Sequence, residues 1–437
     1  DHPGTRGTIL RDPVHGLLAF ESDDEAIIER LLATREVQRL RRIRQLGFTS
    51  LAYPGAEHTR FAHALGTAHV MKRLAGRLRE IHDSLPFWQR LNSEWTRDAL
   101  SAALLHDLGH GPASHMFESA LPHADPHEVW TERILLDDTS DVHKVLARED
   151  PDMPARVANL VAGRHPAPYL ARAISGTFDV DRCDYLLRDA HATGVRYGQF
   201  DLDWFQRSLR FAPSDDGAAP PLAIDGAKGL AAIESFVLAR LFMFQQVYFH
   251  KATRSAEWMV RSALARALEA MSDGARLPST PGAFVSAARG HTPTMGEYLE
   301  LDDGVLSATL HAWEASSDRV LAELCARIRA RDLYKTIELD GDAASEPKAR
   351  ARALEVARSV AAEAGLHPDL HVGLDISTDT PFDDTKDNLV VVSSKGPARR
   401  PADVSFLLSR LNGEALTRVR LIVPGELRDR IRQALSP

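Results

Sequence analysis

Apolar residues recur every three to four positions through most of the first three hundred residues of this 437-residue chain. That period is the signature of helices with one buried face. Between 24 and 46 the apolar positions are Ile27, Ile28, Leu31, Leu32, Val37, Leu40, Ile43 and Leu46, predicting one helix that Gly47 stops. The same spacing predicts helices over 61–81 and 96–108, the latter ended by Gly109, Gly111 and Pro112, and over 303–331. Residues 228–271 read as one long helix or a broken pair. Strand signals are sparse at first: a hairpin from 208–211 and 222–224 flanks a turn-rich run. After Lys335 the texture changes. Segments 336–339, 371–376, 389–393 and 418–423 read as strands, with helices at 347–364 and 425–435 and loops at 273–293 and 378–387. The expectation is a mainly α protein: a helical body over 1–332 and a smaller C-terminal α+β lobe over 333–437.

Composition excludes several classes. Acidic residues number 61 against 53 basic, a net charge of −8, which argues against a nucleic-acid partner but permits a basic pocket for a small anion. The two cysteines, Cys183 and Cys325, supply neither a disulfide framework nor a cysteine-rich zinc module. No run approaches 18 apolar residues, so no membrane partner and a cytoplasmic location are expected.

The 19 histidines cluster informatively. Residues 103–115 read A-L-L-H-D-L-G-H-G-P-A-S-H, and His106 and His110 share a helix face if the helix persists through Gly109. An isolated His-Asp pair is most often a solvated helix end. Here H-T-R-F-A-H lies upstream at 58–63 and D-V-D-R-C-D-Y-L-L-R-D downstream at 179–189. Together they supply H…HD…D from His63, His106, Asp107 and Asp181. Imidazole and carboxylate donors suit divalent Fe, Mn, Co, Ni or Zn, with Mg a candidate to accompany a nucleotide. Four such ligands leave coordination positions open for chemistry.

With these motifs the sequence resembles the HD-domain phosphohydrolases, and within them the deoxynucleoside triphosphate triphosphohydrolases. The resemblance runs from about Arg11 to Val423. It is carried by R-D-P-V-H-G at 11–16, Q-R-L-R-R-I-R-Q-L-G at 38–47, P-G-A-E-H-T-R-F-A-H at 54–63 and H-D-L-G-H-G-P-A-S-H-M-F at 106–117. The D-V-D-R-C-D-Y segment, Y-F-H-K at 248–251 and R-D-L-Y-K at 331–335 complete it. It implies His63, His106, Asp107 and Asp181 as metal ligands. It makes His110 and His127 candidate proton handlers, with Glu128 adjacent to orient His127 and Glu118 at the family's acidic position. His123 is a weaker rival to His127, since no carboxylate follows it, and His115 is read as a site-lining histidine. Arg60, Arg182 and Arg240 fall on phosphate-binding positions, Arg182 replacing a lysine. Gln45, Tyr185, Asp189 and Tyr248 fall on positions that line a nucleoside pocket.

The implied reaction is hydrolysis of a deoxynucleoside triphosphate to the deoxynucleoside and inorganic triphosphate. Competing readings keep the site but change the substrate to a nucleoside monophosphate, a dinucleoside polyphosphate or an alarmone, or make the chain a non-catalytic nucleotide-binding regulator. The resemblance also implies a homo-dimer or homo-tetramer with a nucleotide effector at a subunit interface, drawing on Gln38, Arg41 and Lys251. A lysine and an aspartate that read guanine in an activated family member are here Thr8 and Ala33, so strict activation by a guanine nucleotide is not expected.

Overall fold

The computed structural model describes residues 7–113, 115–121, 125–213, 220–386, 389–393 and 396–436. The chain is mainly helical, with small strand regions. Its centre is the 22-residue helix Arg60–Ile81, capped by Thr59, whose hydroxyl accepts from the Ala62 amide. That helix packs against Ser93–Leu105 and Val180–Thr193, and the three bring Leu65, Ala68, Leu100, Leu104 and Leu186 into one core.

Three departures from the helical reading matter for the site. The stretch 24–46 is not one helix. It divides into Ala26–Leu32, Arg35–Arg39 and a short 3₁₀ turn, because Thr34 adopts an extended backbone and its hydroxyl donates back to the Leu31 carbonyl. The helix expected to reach 108 starts at Ser93 on the Asn92 cap and stops at Leu105, so His106 and Asp107 sit in the turn that follows. His106 and His110 therefore do not share a helix face. Gly109 explains the path of that turn: a Cβ there would lie 2.1 Å from the His127 carbonyl oxygen and 2.4 Å from the Thr131 amide. Finally, 228–271 is a broken pair, Leu230–Met243 and Lys251–Ser272, joined by a π-turn at Phe244–Tyr248. Leu230–Tyr248 is long and apolar enough, by length and composition, to cross a membrane. In the fold it places Ile233, Phe236 and Val237 in the core.

Eight short strands accompany the helices among the described residues. β1 (Thr8–Asp12) and β2 (Gly16–Phe20) form an antiparallel hairpin that the sequence pattern does not reveal. β3 (Leu209–Phe211) and β4 (Leu222–Asp225) make the expected hairpin, though residues 214–219 of its connection lie outside the described residues. β5 (Lys335–Glu338), β6 (Gly373–Asp379) and β8 (Leu416–Val423) form an antiparallel sheet in the order β5–β8–β6. Helices Pro347–Glu363 and Arg428–Leu435 cover it through Ala357, Val360 and Ile431. The chain beyond 333 is not one separate lobe, however. β7 (Val390–Val392) pairs in parallel with β4, and Phe382, Leu389 and Leu408 belong to the core of the helical body.

Candidate active site

Three elements deliver the metal-binding pattern to one point. His63 lies in the first turn of Arg60–Ile81, Asp181 in the first turn of Val180–Thr193, and His106–Asp107 in the turn after Ser93–Leu105. His63 Nε2 is 3.0 Å from Asp181 Oδ1, 3.3 Å from His106 Nε2 and 3.7 Å from Asp107 Oδ2. His106 Nε2 is 3.4 Å from both Asp107 Oδ1 and Asp181 Oδ1. Ligands about 2.1 Å from one ion lie roughly 3.0–3.4 Å from each other, so the spacing fits.

Protonation strengthens the case. His63 Nδ1 donates to Asp184 Oδ2 at 2.8 Å and His106 Nδ1 to the Ala103 carbonyl at 2.9 Å, tautomers assigned from these partners. Both Nε2 lone pairs are thereby turned toward each other and toward two carboxylates, an arrangement that needs a cation between them. Burial disfavours charge on either imidazole. Asp181 and Asp184 nonetheless push His63 up to about 10, and Asp107 and Asp181 push His106 up to about 8. The cluster thus draws positive charge strongly, and a divalent ion held by these four residues would satisfy it.

The turn carrying His106 and Asp107 is pinned from several sides. Arg39, fully buried, donates to the carbonyls of His110 and Leu301. Tyr298 Oη donates to the Gly109 carbonyl, and Asp303 accepts from the Ala113 amide. Arg39 belongs to the run 39–44 that looks like a solvated helix face in sequence; its interior role is visible only in the fold.

Beside the metal donors sits a second group. Glu118 Oε1 is 2.8 Å from His127 Nδ1, 3.5 Å from His115 Nδ1 and 3.7 Å from His110 Nδ1. The His110 and His127 rings stack with centroids 3.8 Å apart. Glu118 is thus the carboxylate that orients His127. Glu128, expected in that role, is 3.3 Å away but mostly exposed. Burial and the nearby Arg60 hold His110 well below the usual imidazole range, so His110 is neutral and a poor proton donor. His115 is exposed at the mouth, and His123 lies outside the described residues.

A cleft of about 670 Å³ holds His110, His115 and His127 together with Tyr185 and Tyr248. It gathers Gln45, Arg60, Asp107, His110, His115, His127, Asp181, Tyr185, Asp189 and Tyr248. Asp189 accepts from Tyr248 Oη and His58 Nε2, each at 2.7 Å, and the π-turn delivers Tyr248 to it. His58 opens the H-T-R-F-A-H motif, but only the fold reveals its bond to Asp189.

Two of the three expected phosphate arginines are held in ion pairs beside the cleft. Arg182 donates to Asp179 and the Gly176 carbonyl, because Asp179 caps the same helix one turn away. Arg240 pairs with Asp379 at 2.7 Å. Arg60 does line the cleft, buried and paired with Asp107. The cations that sequence reasoning missed are Arg254 and Arg261, facing the cleft with Glu257 from Lys251–Ser272, opposite Ser377 and Thr378 of β6. Their i, i+3, i+7 spacing was the available signal. Arg254 is held by Asp375 and Glu257, whereas Arg261 makes no hydrogen bond or ion pair with any described residue. Arg41 is exposed and donates to the half-buried Gln38 at 2.8 Å, with its guanidinium 3.6 Å from the Phe61 ring centre.

The HD domain family profile matches residues 60–189, and the HD associated region profile matches 217–280. The chain is 34% identical over 426 residues to the uncharacterized protein YwfO of Bacillus subtilis, covering 96% of this chain and 92% of that one. This chain belongs to the HD-domain phosphohydrolase family. It is 29% identical over 365 residues to the deoxynucleoside triphosphate triphosphohydrolase SAMHD1 of Bos taurus, covering 75% of this chain and 58% of that protein. A phosphohydrolase crystal structure from Bacteroides thetaiotaomicron shares the fold with a TM-score of 0.80 and 26% identity, covering 95% of this chain and 99% of that one. The HD profile begins at Arg60, the first residue of the helix that carries His63, and ends at Asp189, which accepts from Tyr248 and His58. The matched segment thus contains His63, His106, Asp107 and Asp181, while part of the cleft wall comes from outside it.

Proposed function

We propose that this HD-domain phosphohydrolase cleaves deoxynucleoside triphosphates to the deoxynucleoside and inorganic triphosphate. The observation that carries the reading is the cleft, which brings together His and Asp donors, the Glu118–His127 pair, Tyr185, Tyr248 and Asp189, and arginines on its wall. The similarity to SAMHD1, a deoxynucleoside triphosphate triphosphohydrolase by name, supports the substrate class. A bound divalent ion supplies acidified water and polarises the phosphoryl oxygen it meets. The chain's own residues do the rest. Water adds to the α-phosphorus and loses a proton to solvent, the bond to the 5′-oxygen breaks, and His127, as the imidazolium, gives that oxygen its proton. Glu118 fixes the ring by accepting from Nδ1, so Nε2 is the nitrogen that serves the leaving group. Tyr185 and Tyr248 close the sugar end sterically.

The same reading extends to a homo-oligomer whose effector nucleotide meets the exposed Arg41 beside Gln38. Thr8 and Ala33 remove a cation and a carboxylate from such a site, so it acts without a strict need for GTP. The test is a panel of dNTPs, NTPs, monophosphates and dinucleotides against the metal-loaded protein, with products resolved by ion exchange and Asp107→Ala as control. Triphosphate appearing with deoxynucleoside, and only where Asp107 is intact, is expected. Turnover of monophosphates, dinucleotides or alarmones alone replaces the substrate assignment, and no turnover with any metal favours a binding protein.

A further inference from the structure

The R-D-P-V-H-G motif at 11–16 has no part in the chemistry above, yet the fold carries it to the metal centre. It forms the turn between β1 and β2, where Asp12 accepts from the amides of Val14 and His15. His15 Nε2 then donates to Asp184 Oδ1 at 2.6 Å, while Asp12 Oδ1 accepts from Arg188 Nη1 at 2.7 Å. Arg188 grips Asp184 with two further bonds, Nε to Oδ2 at 2.9 Å and Nη2 to Oδ1 at 3.0 Å. Asp184 Oδ2 also accepts from Nδ1 of His63. Asp184 is wholly buried and all four of its acceptor positions are taken: His15, His63 and Arg188 twice.

We infer that the β1–β2 turn is a positioning device for the metal centre: His15 and Asp12 fix Asp184 and Arg188, and Asp184 fixes the tautomer and tilt of His63. The inference rests on reading His63 as a metal ligand. An outer carboxylate on a ligating histidine typically changes metal affinity by about 10–100-fold. Here the support extends one step further, to a hairpin more than forty residues before the ligand in sequence. Coupling is reciprocal, so an ion at His63 must also steady the hairpin.

Cobalt(II) is the probe, because its visible spectrum reports ligand geometry as well as occupancy. Affinity is measured on the full chain by chelator competition for the parent, His15→Ala, His15→Gln, Asp184→Asn and His63→Ala. Hydrogen exchange of residues 8–20 is followed with and without cobalt. His15→Ala and Asp184→Asn are expected to weaken cobalt roughly 10–100-fold and alter its spectrum, His15→Gln to recover part of the loss through its amide donor, and cobalt to slow exchange in the hairpin. Val360→Ala, in the remote lobe core, lowers stability and leaves cobalt affinity unchanged. Parental affinity in His15→Ala, or hairpin exchange indifferent to cobalt, overturns the inference. If His15→Ala does not fold, His15→Gln and the exchange measurement decide. Full cobalt affinity in His63→Ala instead refutes the metal reading itself.

Discussion

Gly66→Ala puts two physical effects in opposition. Gly66 lies inside the helix Arg60–Ile81, where alanine is normally better by about 1 kcal/mol. A Cβ at this position, however, would stand 1.9 Å from Asp184 Oδ1 and 2.3 Å from Arg188 Nη2. An ordinary contact needs about 3.4 Å, so the carboxylate must retreat by roughly 1.5 Å. Neither group has room to swing: Asp184 is tied to His15, His63 and Arg188, and Arg188 to Asp12. Retreat breaks at least the bonds to His15 and Arg188 Nη2, at about 1.5–3 kcal/mol for each charged, buried bond. Subtracting the helical gain leaves a net loss of about 2–5 kcal/mol. The assay is urea unfolding of metal-free and cobalt-loaded protein, followed by far-UV circular dichroism. The expected result is a lower midpoint in both forms and a smaller stabilisation by cobalt. A variant as stable as the parent, or more stable, refutes the packing argument, since helix propensity alone then governs the position.

Further outcomes follow from the same geometry. His127→Ala should retain metal but lose roughly 10²–10⁴-fold in turnover, and Glu118→Gln part of that; an unaffected His127→Ala with a crippled Glu128→Gln would reverse the assignment of the orienting carboxylate. Arg261→Ala should raise KM for a triphosphate roughly 10- to 150-fold, and more than for a monophosphate, whereas Arg240→Ala, already paired with Asp379, should not discriminate between them. Burial, with His15, Arg73 and Lys72 nearby, pushes His69 down to about 4 against 6.5 for an unperturbed imidazole. Its depressed pKa means that stability is fully present above about pH 6.5 and is lost as pH falls toward 4. The thermal midpoint should drop across that window, and His69→Gln should flatten the drop; an identical acid profile for both proteins counts against it.

The helical body, the H…HD…D pattern and the cleft tyrosines were legible in the chain because each leaves a local signature. A 3.6-residue period marks a buried face, a His-Asp dipeptide marks ligand chemistry, and ordered motifs mark a family. Boundaries and partners were less legible. Thr34 breaks a well-patterned helix through one side-chain bond to the Leu31 carbonyl, and Gly109 turns the chain because the His127–Leu136 helix leaves no room for a Cβ. Arg39, Arg182 and Arg240 look alike in sequence. One is buried under the His110 loop, one folds back onto a helix cap, and one crosses to Asp379 on β6. Arg254 and Arg261 instead enter the cleft. The residue types needed for chemistry are therefore set by sequence, whereas which arginine meets the cleft and which carboxylate steadies a histidine are set by the fold. A charged side chain several ångströms long reaches whichever acceptor or open cleft lies within its span, and that neighbour is chosen by packing between segments far apart in the chain.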